Sequence, residues 1–263
     1  MDQWLTALAL AAAGLVAGVI NTLAGGGTLL TVPVLVAFGL PATVANGTNR
    51  VGVLVQNYFA MRGFRRGGVD ALAESLPILV PALVGSIAGA AVASRLPSAL
   101  FERIFGVAMV LLLVPILRGP RARRGPSAGS AGSVESDAPA SPQPGTRSPL
   151  TNAALFGAIG FYGGSIQAGV GIFVIAALAR SGLDLVRANA IKVVLIGALT
   201  LVALPVFILH GQVDWPHAIA TALGFALGGS LGARVATRGG ERVIKPVLAI
   251  AVLAMAGRML GLY

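Results

Sequence analysis

The feature that most constrains the fold of this chain is a sequence pattern that occurs twice in the same order. A glycine-rich segment at residues 24–27 and a segment at 39–49 are matched in the second half by 168–171 and 182–192. Shorter matches continue the series, pairing 67–70 with 211–214, 85–86 with 229–230, and 102–103 with 241–242. Because a collinear series of matches rarely arises by chance, the chain is predicted to consist of two similar halves.

The composition places these halves in a membrane. Hydrophobic residues make up 56% of the chain and charged residues only 11%, whereas about 25% of a soluble domain is charged. Long charge-free stretches predict an all-α polytopic membrane protein. The net charge of +10 would suggest nucleic acid in a soluble protein, but the basic residues stand singly between apolar segments, so no nucleic-acid partner is expected. The absence of cysteine excludes disulfides and thiol chemistry.

Each half contains five apolar segments. In the first half they lie at residues 4–20, 26–38, 46–61, 76–94 and 101–117. In the second half they lie at residues 151–168, 170–180, 189–209, 216–236 and 243–260. The stretch between the halves is rich in Arg, Ser and Pro and cannot bury a core, so it is predicted to be a disordered linker. The predicted units are an N-terminal repeat at 1–117, the linker at 118–149 and a C-terminal repeat at 150–263.

An odd number of crossings in each half determines how the halves are related. The second half then starts from the opposite face of the membrane, and the halves are inverted copies. With the linker in the cytoplasm, most of the 19 basic residues fall inside, as the positive-inside rule requires. The basic residues that fall outside are Arg50, Arg95, Arg103 and Arg258. The charge distribution therefore predicts a cytoplasmic linker and both termini outside.

The second segment of each half is short for a straight crossing. Segments 26–38 and 170–180 have fewer than the about 20 residues that a spanning helix needs. The first two segments of each half are therefore either tilted full crossings or a re-entrant hairpin whose glycine tip stops inside the membrane. Both alternatives return the chain to its starting face, so the charges do not separate them. We favour tips near the midplane.

The glycine tips are the first candidate site. Glycines let a ligand approach the backbone, and the N-terminus of the following helix presents amide groups that favour anions. The candidate residues are Asn21, Gly25, Gly26, Gly27 and Thr28 at the first tip and Ser165, Gln167, Gly169 and Gly171 at the second. The alternative is that glycine only permits close helix packing, which we prefer for Gly14, Gly18, Gly157 and Gly160.

Polar residues at the third apolar segment of each half form the second candidate site. The set comprises Asn46, Thr48, Asn49, Arg50, Gln56 and Asn57 in the first half and Asn189 and Lys192 in the second. A cation next to hydrocarbon is costly and usually functional, although a basic side chain can also anchor at the interface. Asn46 and Asn189 stand where a helix is predicted to begin, so N-capping and ligand contact are both open for them. Gln56 and Asn57 would line a cavity or bond a neighbouring helix.

The acidic residues stand outside the centres of the apolar segments. The chain has nine of them, and none lies in the middle of such a segment. A carboxylate proton relay or a sodium site is therefore poorly supported, and no metal or other cofactor is predicted. The amides, hydroxyls, backbone N–H groups and two cations within these segments suit a small anion. If a proton accompanies that anion as coupling ion, we expect it to be carried on the substrate itself.

At these motifs the chain resembles the TauE/SafE-type sulfite exporters and related permeases. The resemblance covers nearly the whole chain apart from the linker, and its most specific elements are Gly14 and Gly18, residues 25–28, residues 33–35, and the motif at 39–49. It implies a bacterial inner-membrane permease for small sulfur-containing or organic anions such as sulfite, thiosulfate, sulfoacetate or sulfolactate. It also marks the tip at 25–28 and the helix starts at 46–50 and 188–192 as the site. The chain departs from the family pattern at Val170, where a glycine would make the two tips equal, and in its longer linker.

These observations predict a secondary transporter that moves a small anion across the lipid bilayer by alternating access around a midplane site. An anion channel of the same architecture is the alternative. An intramembrane enzyme is disfavoured, because the apolar segments contain no recognisable nucleophile–base pair or set of metal ligands. A homo-oligomer is compatible with the sequence.

Overall fold

The computed structural model describes residues 3–118, 148–178 and 183–237. Within these ranges the chain is helical and contains no strand. The helices are α1 (Gln3–Ala24), α2 (Thr28–Ala37), α3 (Ala42–Arg66), α4 (Leu72–Ala93), α5 (Ser98–Arg118), α6 (Pro149–Ser165), α7 (Val170–Leu178), α8 (Leu185–Leu209) and α9 (Trp215–Thr237). They correspond to the first nine predicted segments. The tenth segment, 243–260, and nearly all of the predicted linker lie outside the described residues.

Four of these helices are long and apolar enough to cross a membrane, namely α1, α4, α8 and α9. The helix α3 is as long as α8, with 25 residues, but carries half of the polar candidate residues. By contrast, α2 has 10 residues and α7 has 9. That length corresponds to about 15 Å of helix against about 30 Å of hydrocarbon. The chain is thus a multi-pass helical membrane protein in which two of the described helices are too short for a straight crossing.

The helices α3 and α8 begin one turn earlier than the sequence predicted. The first follows Pro41 directly, and the second follows Asp184, whose side chain accepts a hydrogen bond from the Arg187 amide at 3.0 Å. An aspartate in this position is a favoured N-cap. Asn46 and Asn189 therefore lie inside the helices, and the N-capping interpretation is wrong for both. Polar residues in an apolar run look like a helix boundary, but here tertiary contacts keep them buried within the helix.

Helices of the two halves pack backbone against backbone at glycine residues. The helix α1 packs along α9, and α6 packs along α4. A Cβ atom on Gly18 would lie 3.0 Å from the Cα atom of Gly228, and one on Gly14 would overlap the backbone of Thr221. On α6, a Cβ atom on Gly160 would overlap the backbone of α4. The prediction of close packing is confirmed for Gly14, Gly18 and Gly160, but not for Gly157, where a Cβ atom would make only an ordinary contact.

We expect Gly160→Ala to destabilise the protein, whereas Gly157→Ala should be tolerated. Both glycines lie on α6, but a Cβ atom on Gly160 would overlap the Ala82 carbonyl group, while one on Gly157 would lie 3.6 Å from the Pro81 oxygen. The overlap should cost about 1–3 kcal/mol, and alanine otherwise favours a helix by up to about 1 kcal/mol. Thermal unfolding of both variants in detergent measures the difference. Equal unfolding temperatures would contradict the packing described here.

Contacts between helix ends orient α4 and α8. At one end, Arg187 Nε donates to both carboxylate oxygens of Glu74 at 2.8 Å, which joins the start of α8 to the start of α4. At the other end, Gln212 Nε2, just after α8, donates to the carbonyl oxygen of Ser94, just after α4, at 2.8 Å. The helices α4 and α8 are therefore parallel.

The start of α3 lies at the same end of the molecule as the end of α8. The amide of Asp214, in the connection between α8 and α9, donates to Thr48 Oγ1 at 2.9 Å. The helices α3 and α8 therefore run antiparallel, although they are the third helices of the two matched halves.

A polar pair stabilises this connection outside the spanning segments. His217 Nδ1 lies 2.7 Å from Asp214 Oδ1, and the His217 amide donates to the same oxygen at 3.2 Å. Burial raises the pKa of Asp214, but the hydrogen bonds from the His217 side chain and backbone outweigh it and hold the pKa below its ordinary value. Among the described residues, no three His, Cys, Asp or Glu side chains come together as metal ligands would.

Candidate functional site

The two glycine tips meet each other inside the molecule. Gly25 has a φ of 77°, a conformation that favours glycine, and a Cβ atom there would lie 2.6 Å from the Cα atom of Gly171. The reverse contact is equally close, because a Cβ atom on Gly171 would lie 2.6 Å from the Cα atom of Gly25. The absence of side chains at both positions therefore lets the first tip touch the start of α7.

Hydrogen bonds hold the first tip beside the middle of α3. Asn21 Nδ2 donates to Gln56 Oε1 at 2.6 Å, and Gln56 Nε2 donates to Thr22 Oγ1 at 2.8 Å. The Thr22 hydroxyl in turn donates to the Gly18 carbonyl oxygen at 2.9 Å. Since Gln56 lies near the centre of α3, the end of α1 is placed at mid-depth in the bundle.

The start of α2 is held by Asn49 of α3. Asn49 Nδ2 donates to Thr28 Oγ1 at 3.3 Å, and the Thr31 hydroxyl donates to Asn49 Oδ1. The Leu29 amide, which donates to the Gly26 carbonyl oxygen at 3.1 Å, makes the first turn of the helix. The amides before it belong to the helix N-terminus, where orphan N–H groups and the helix dipole favour an anion.

The second tip has the same plan with different side chains. Gln167 has a φ of 62°, unusual for a residue other than glycine, and its Nε2 donates to Thr200 Oγ1 of α8 at 2.6 Å. Gly169 follows with a φ of 65°, and the Tyr162 hydroxyl donates to the Ala168 carbonyl oxygen at 2.6 Å. The match of 39–49 with 182–192 pairs Thr200 with Asn57, the residue after Gln56, so the two tips are tied to neighbouring positions on the long helices.

Lys192 of α8 binds the C-terminal end of α1. Its Nζ donates to the carbonyl oxygens of Thr22 at 2.7 Å and Asn21 at 3.2 Å, and to Asn189 Oδ1 at 2.7 Å. The residue is 1% exposed. Because the last carbonyl groups of a helix carry partial negative charge, the ammonium group stabilises this helix end.

Arg50 of α3 does the same for the C-terminal end of α6. Its guanidinium donates to the carbonyl oxygens of Gly164 at 2.5 Å and of Gly163 and Ser165 at 3.2 Å. The guanidinium carbon also lies 4.4 Å from the ring centre of Phe207, in cation–π contact. Arg50 is 0% exposed.

Each half therefore sends a buried cation to the first helix of the other half. Among the residues described, Arg50 and Lys192 are the charged side chains that are fully buried. The alternative of an interfacial anchor is wrong for both, since neither side chain reaches a surface. The Lys192 side chain lies against Gly171 at the start of α7, and Arg50 follows Asn49, which binds the start of α2. Both helix starts carry positive dipole ends themselves. The arrangement can stabilise negative charge at the tips.

Two further predicted residues lie elsewhere. Thr48 Oγ1 accepts a hydrogen bond from the Asp214 amide, in the connection between α8 and α9. Asn57 Nδ2 donates to the Val53 carbonyl oxygen of its own helix at 2.7 Å, and its Cβ faces Gly197 of α8. Both are buried parts of helix contacts.

Several atoms around the second tip have no hydrogen-bond partner among the described residues. Asn46 Nδ2 donates to the Ser165 carbonyl oxygen at 2.9 Å, but Asn46 Oδ1 is unpaired. Arg50 Nε and Gln167 Oε1 are also buried and unpaired. A buried polar atom without a partner costs about 1–3 kcal/mol, so each such atom in a native site calls for an explanation.

Sequence reasoning missed several polar partners of the site. These are Thr22, Thr31, Tyr162 and Thr200, together with the aromatic ring of Phe207. For Thr200 a signal was present, because the duplication aligns it with Asn57. The other partners carry no such mark, because threonine, tyrosine and phenylalanine occur throughout membrane helices.

Comparison with known proteins agrees with this architecture. The family model described as Sulfite exporter TauE/SafE matches residues 10–259. A probable membrane transporter protein of Sinorhizobium, ORF9, is 29% identical over 250 residues, which cover 95% of this chain and 90% of that protein. The probable membrane transporter proteins of Haemophilus influenzae and Escherichia coli (the latter YfcA) are each 27% identical, covering 94% of this chain and 91% and 86% of their own lengths. No solved structure matches the chain.

Proposed function

The chain belongs to the sulfite exporter TauE/SafE family, and on that premise we propose that it is a secondary transporter for a small anion that binds between the two glycine tips. The observation that carries this proposal is the pair of buried cations beside two helix N-termini. Arg50 and Lys192 bury positive charge inside the bundle, where a charge is costly and usually functional. Orphan amides at the starts of α2 and α7 add donors for the same anion.

The two halves are proposed to be inverted copies. In support, α1 packs on α9 as α6 packs on α4, which are equivalent pairs once the halves are exchanged. The antiparallel course of α3 and α8 fits the same relation. The two buried cations also fit this relation. Arg50 of α3 binds the end of α6, the first helix of the second half, and Lys192 of α8 binds the end of α1, the first helix of the first half.

In this proposal, α1–α2 and α6–α7 are re-entrant hairpins, and the halves rock about the tips to give alternating access. The lengths of α2 and α7 favour hairpins over full crossings. The contact of Gly25 with Gly171 places the tips together inside the bundle, as a shared midplane site requires.

We further propose that the transported anion is sulfite or another small sulfur-containing or organic anion. The name of the matching family supports sulfite, while the relatives are named only as probable membrane transporters. The anion channel remains the second candidate, because a channel would use the same cations and amides.

Counterflow in proteoliposomes tests the proposed function and separates the two candidates. We expect vesicles loaded with unlabelled sulfite to accumulate labelled sulfite transiently above its equilibrium level, because a carrier exchanges one anion for another. A channel would equilibrate the label without this overshoot. Thiosulfate and sulfoacetate should compete, whereas choline should not. If no sulfur anion is taken up above the level of protein-free vesicles, the proposed function is wrong.

The proposed orientation places the connection after α3 in the cytoplasm and the connection after α8 outside, at the bacterial inner membrane. Because the chain has no cysteine, single cysteines report this directly. We expect His210→Cys to react with a membrane-impermeant maleimide in spheroplasts, and Asp70→Cys to react only after permeabilisation. Both side chains are exposed, so reactivity depends on sidedness. Equal labelling from outside would contradict the inverted arrangement.

A further inference from the structure

The unpaired atoms at the second tip differ in their hydrogen-bonding character. Arg50 Nε carries a hydrogen and can only donate, whereas Asn46 Oδ1 and Gln167 Oε1 can only accept. All three side chains are at least nine-tenths buried, at 0%, 0% and 2% exposure. Asn46 and Arg50 both bind the carbonyl oxygen of Ser165, which lies two residues before Gln167 in the chain.

The surrounding contacts determine which amide atoms are unpaired. The Asn46 atom next to the Ser165 carbonyl oxygen must be the nitrogen, because a carbonyl group cannot donate. The Thr200 hydroxyl donates to the Ile196 carbonyl oxygen at 2.7 Å, so the Gln167 atom that binds this hydroxyl must donate to it. The remaining atom of each amide is therefore an oxygen.

Resting on the proposed function, we propose that the second tip binds a singly protonated oxyanion, such as hydrogen sulfite. The anionic oxygen accepts from Arg50 Nε, and the O–H group of the ligand donates to Gln167 Oε1. A fully deprotonated oxyanion has no hydrogen to donate, so its lone pairs would face two carbonyl oxygens. A neutral acid would lack the charge that the guanidinium stabilises. The singly protonated form satisfies both kinds of atom.

The first tip differs from the second, because both polar atoms of its central amide have hydrogen-bond partners. Its central amide, Gln56, uses its oxygen to accept from Asn21 and its nitrogen to donate to Thr22. Lys192 binds backbone carbonyl oxygens and Asn189 there. The inferred binding site is therefore asymmetric, although the two tips occupy matching positions in the halves.

The titratable groups near the second tip belong to the helices packed around it. They are Arg50 on α3, Tyr162 on α6, whose hydroxyl donates to Ala168, and Lys192 on α8, whose side chain lies against Gly171. On the other packed helices, Glu74 of α4 is ion-paired at the helix start, and Glu102 and Arg103 lie near the start of α5 and are partly or fully exposed. Among the described residues, no carboxylate or histidine faces this tip from α2, α3, α6, α7 or α8. A pH dependence that sulfite shows and methanesulfonate lacks therefore reports the proton of the ligand.

Calorimetric titration of the purified full-length protein with sulfite and with methanesulfonate tests the inference. Methanesulfonate has the same anionic oxygens and no O–H group. We expect sulfite affinity to fall about tenfold per pH unit above the second ionisation of sulfurous acid, since the singly protonated form becomes scarce. Methanesulfonate affinity should be weaker and independent of pH. Sulfite affinity that rises with pH would overturn the inference.

The variant Gln167→Gly removes one acceptor, and glycine suits the positive φ at this position, so the fold should be retained. We expect the preference for sulfite over methanesulfonate to fall about tenfold. The matched control is Ser86→Ala, which deletes a buried hydrogen bond to the Leu199 carbonyl oxygen, beside Thr200, without touching the ligand atoms. Its preference should be unchanged. If Gln167→Gly keeps the full preference while sulfite is still transported, the inference fails and the proposed function stands. If the wild type neither binds nor transports either anion, both fail.

Discussion

Replacing Lys192 with methionine should abolish transport and lower the free energy of unfolding by about 2–4 kcal/mol. The substitution leaves the last carbonyl groups of α1 and the Asn189 oxygen without their common donor, and it removes the charge that compensates the helix dipole. The end of α1 would no longer be held at mid-depth. Transport of labelled sulfite into proteoliposomes and chemical unfolding in detergent measure the two effects.

Arg187→Met is the matched control, because it removes a cation from the same helix. The Arg187 side chain is 49% exposed and pairs with Glu74 at the end of the bundle, where water screens the interaction. We expect this variant to transport nearly as well as the wild type. If Lys192→Met and Arg187→Met behaved alike, the proposed role of the buried cation would be wrong.

Replacing Arg50 should also destabilise the protein, and lysine should not substitute for the arginine. Its guanidinium bridges three carbonyl oxygens and stacks on Phe207, which an ammonium group cannot reproduce. We therefore expect Arg50→Lys to retain the charge and still lose most of the stability that Arg50→Met loses. Full stability in Arg50→Lys would mean that charge alone matters at this helix end.

The second large effect is expected for Gly25→Ala, which should prevent formation of the folded transporter. A Cβ atom at this position would lie 2.6 Å from the Cα atom of Gly171. Because the atoms that it would meet belong to the backbone, the tips would have to separate. The positive φ of 77° adds about 1–2 kcal/mol of conformational strain for alanine. The yield of monodisperse protein and its uptake of sulfite provide the measurement.

Two matched variants separate the overlap from the strain. Gly39 has a φ of 96°, and a Cβ atom there would have no atom within 4 Å, so Gly39→Ala introduces the strain without the overlap. Gly171→Ala has the overlap with Gly25 and lies within α7, so it carries the overlap without the strain. We expect Gly39→Ala to fold and Gly171→Ala to fail. The opposite result would mean that the two tips do not meet.

The polar residues of α3 illustrate how far the sequence predicts the site. Asn49, Arg50 and Gln56 were identified because polar side chains in an apolar segment must find partners, and the structure buries all three beside the tips. Their partners could not be predicted. Arg50 binds the end of α6, which is more than a hundred residues away in the chain, and nothing in the local pattern specifies that contact.

The same reasoning explains the misplaced helix starts. The run at 46–50 is polar enough to predict a helix boundary, and a hydropathy pattern contains nothing to correct it. The helix continues through the run because Asn46 binds Ser165 and Asn49 binds Thr28 and Thr31. Contacts between segments therefore override the local preference.

The sequence by itself determined that the chain is a helical membrane protein, that one sequence pattern occurs twice in it, and that glycines and two cations interrupt its apolar segments. These properties follow from composition and order, because hydrocarbon excludes unpaired polar groups whatever the fold. Only the tertiary structure decided that Lys192 binds the end of α1, that Arg50 binds the end of α6, and that the tips touch through Gly25 and Gly171. These contacts join residues far apart in the chain, so they arise only when the halves pack together.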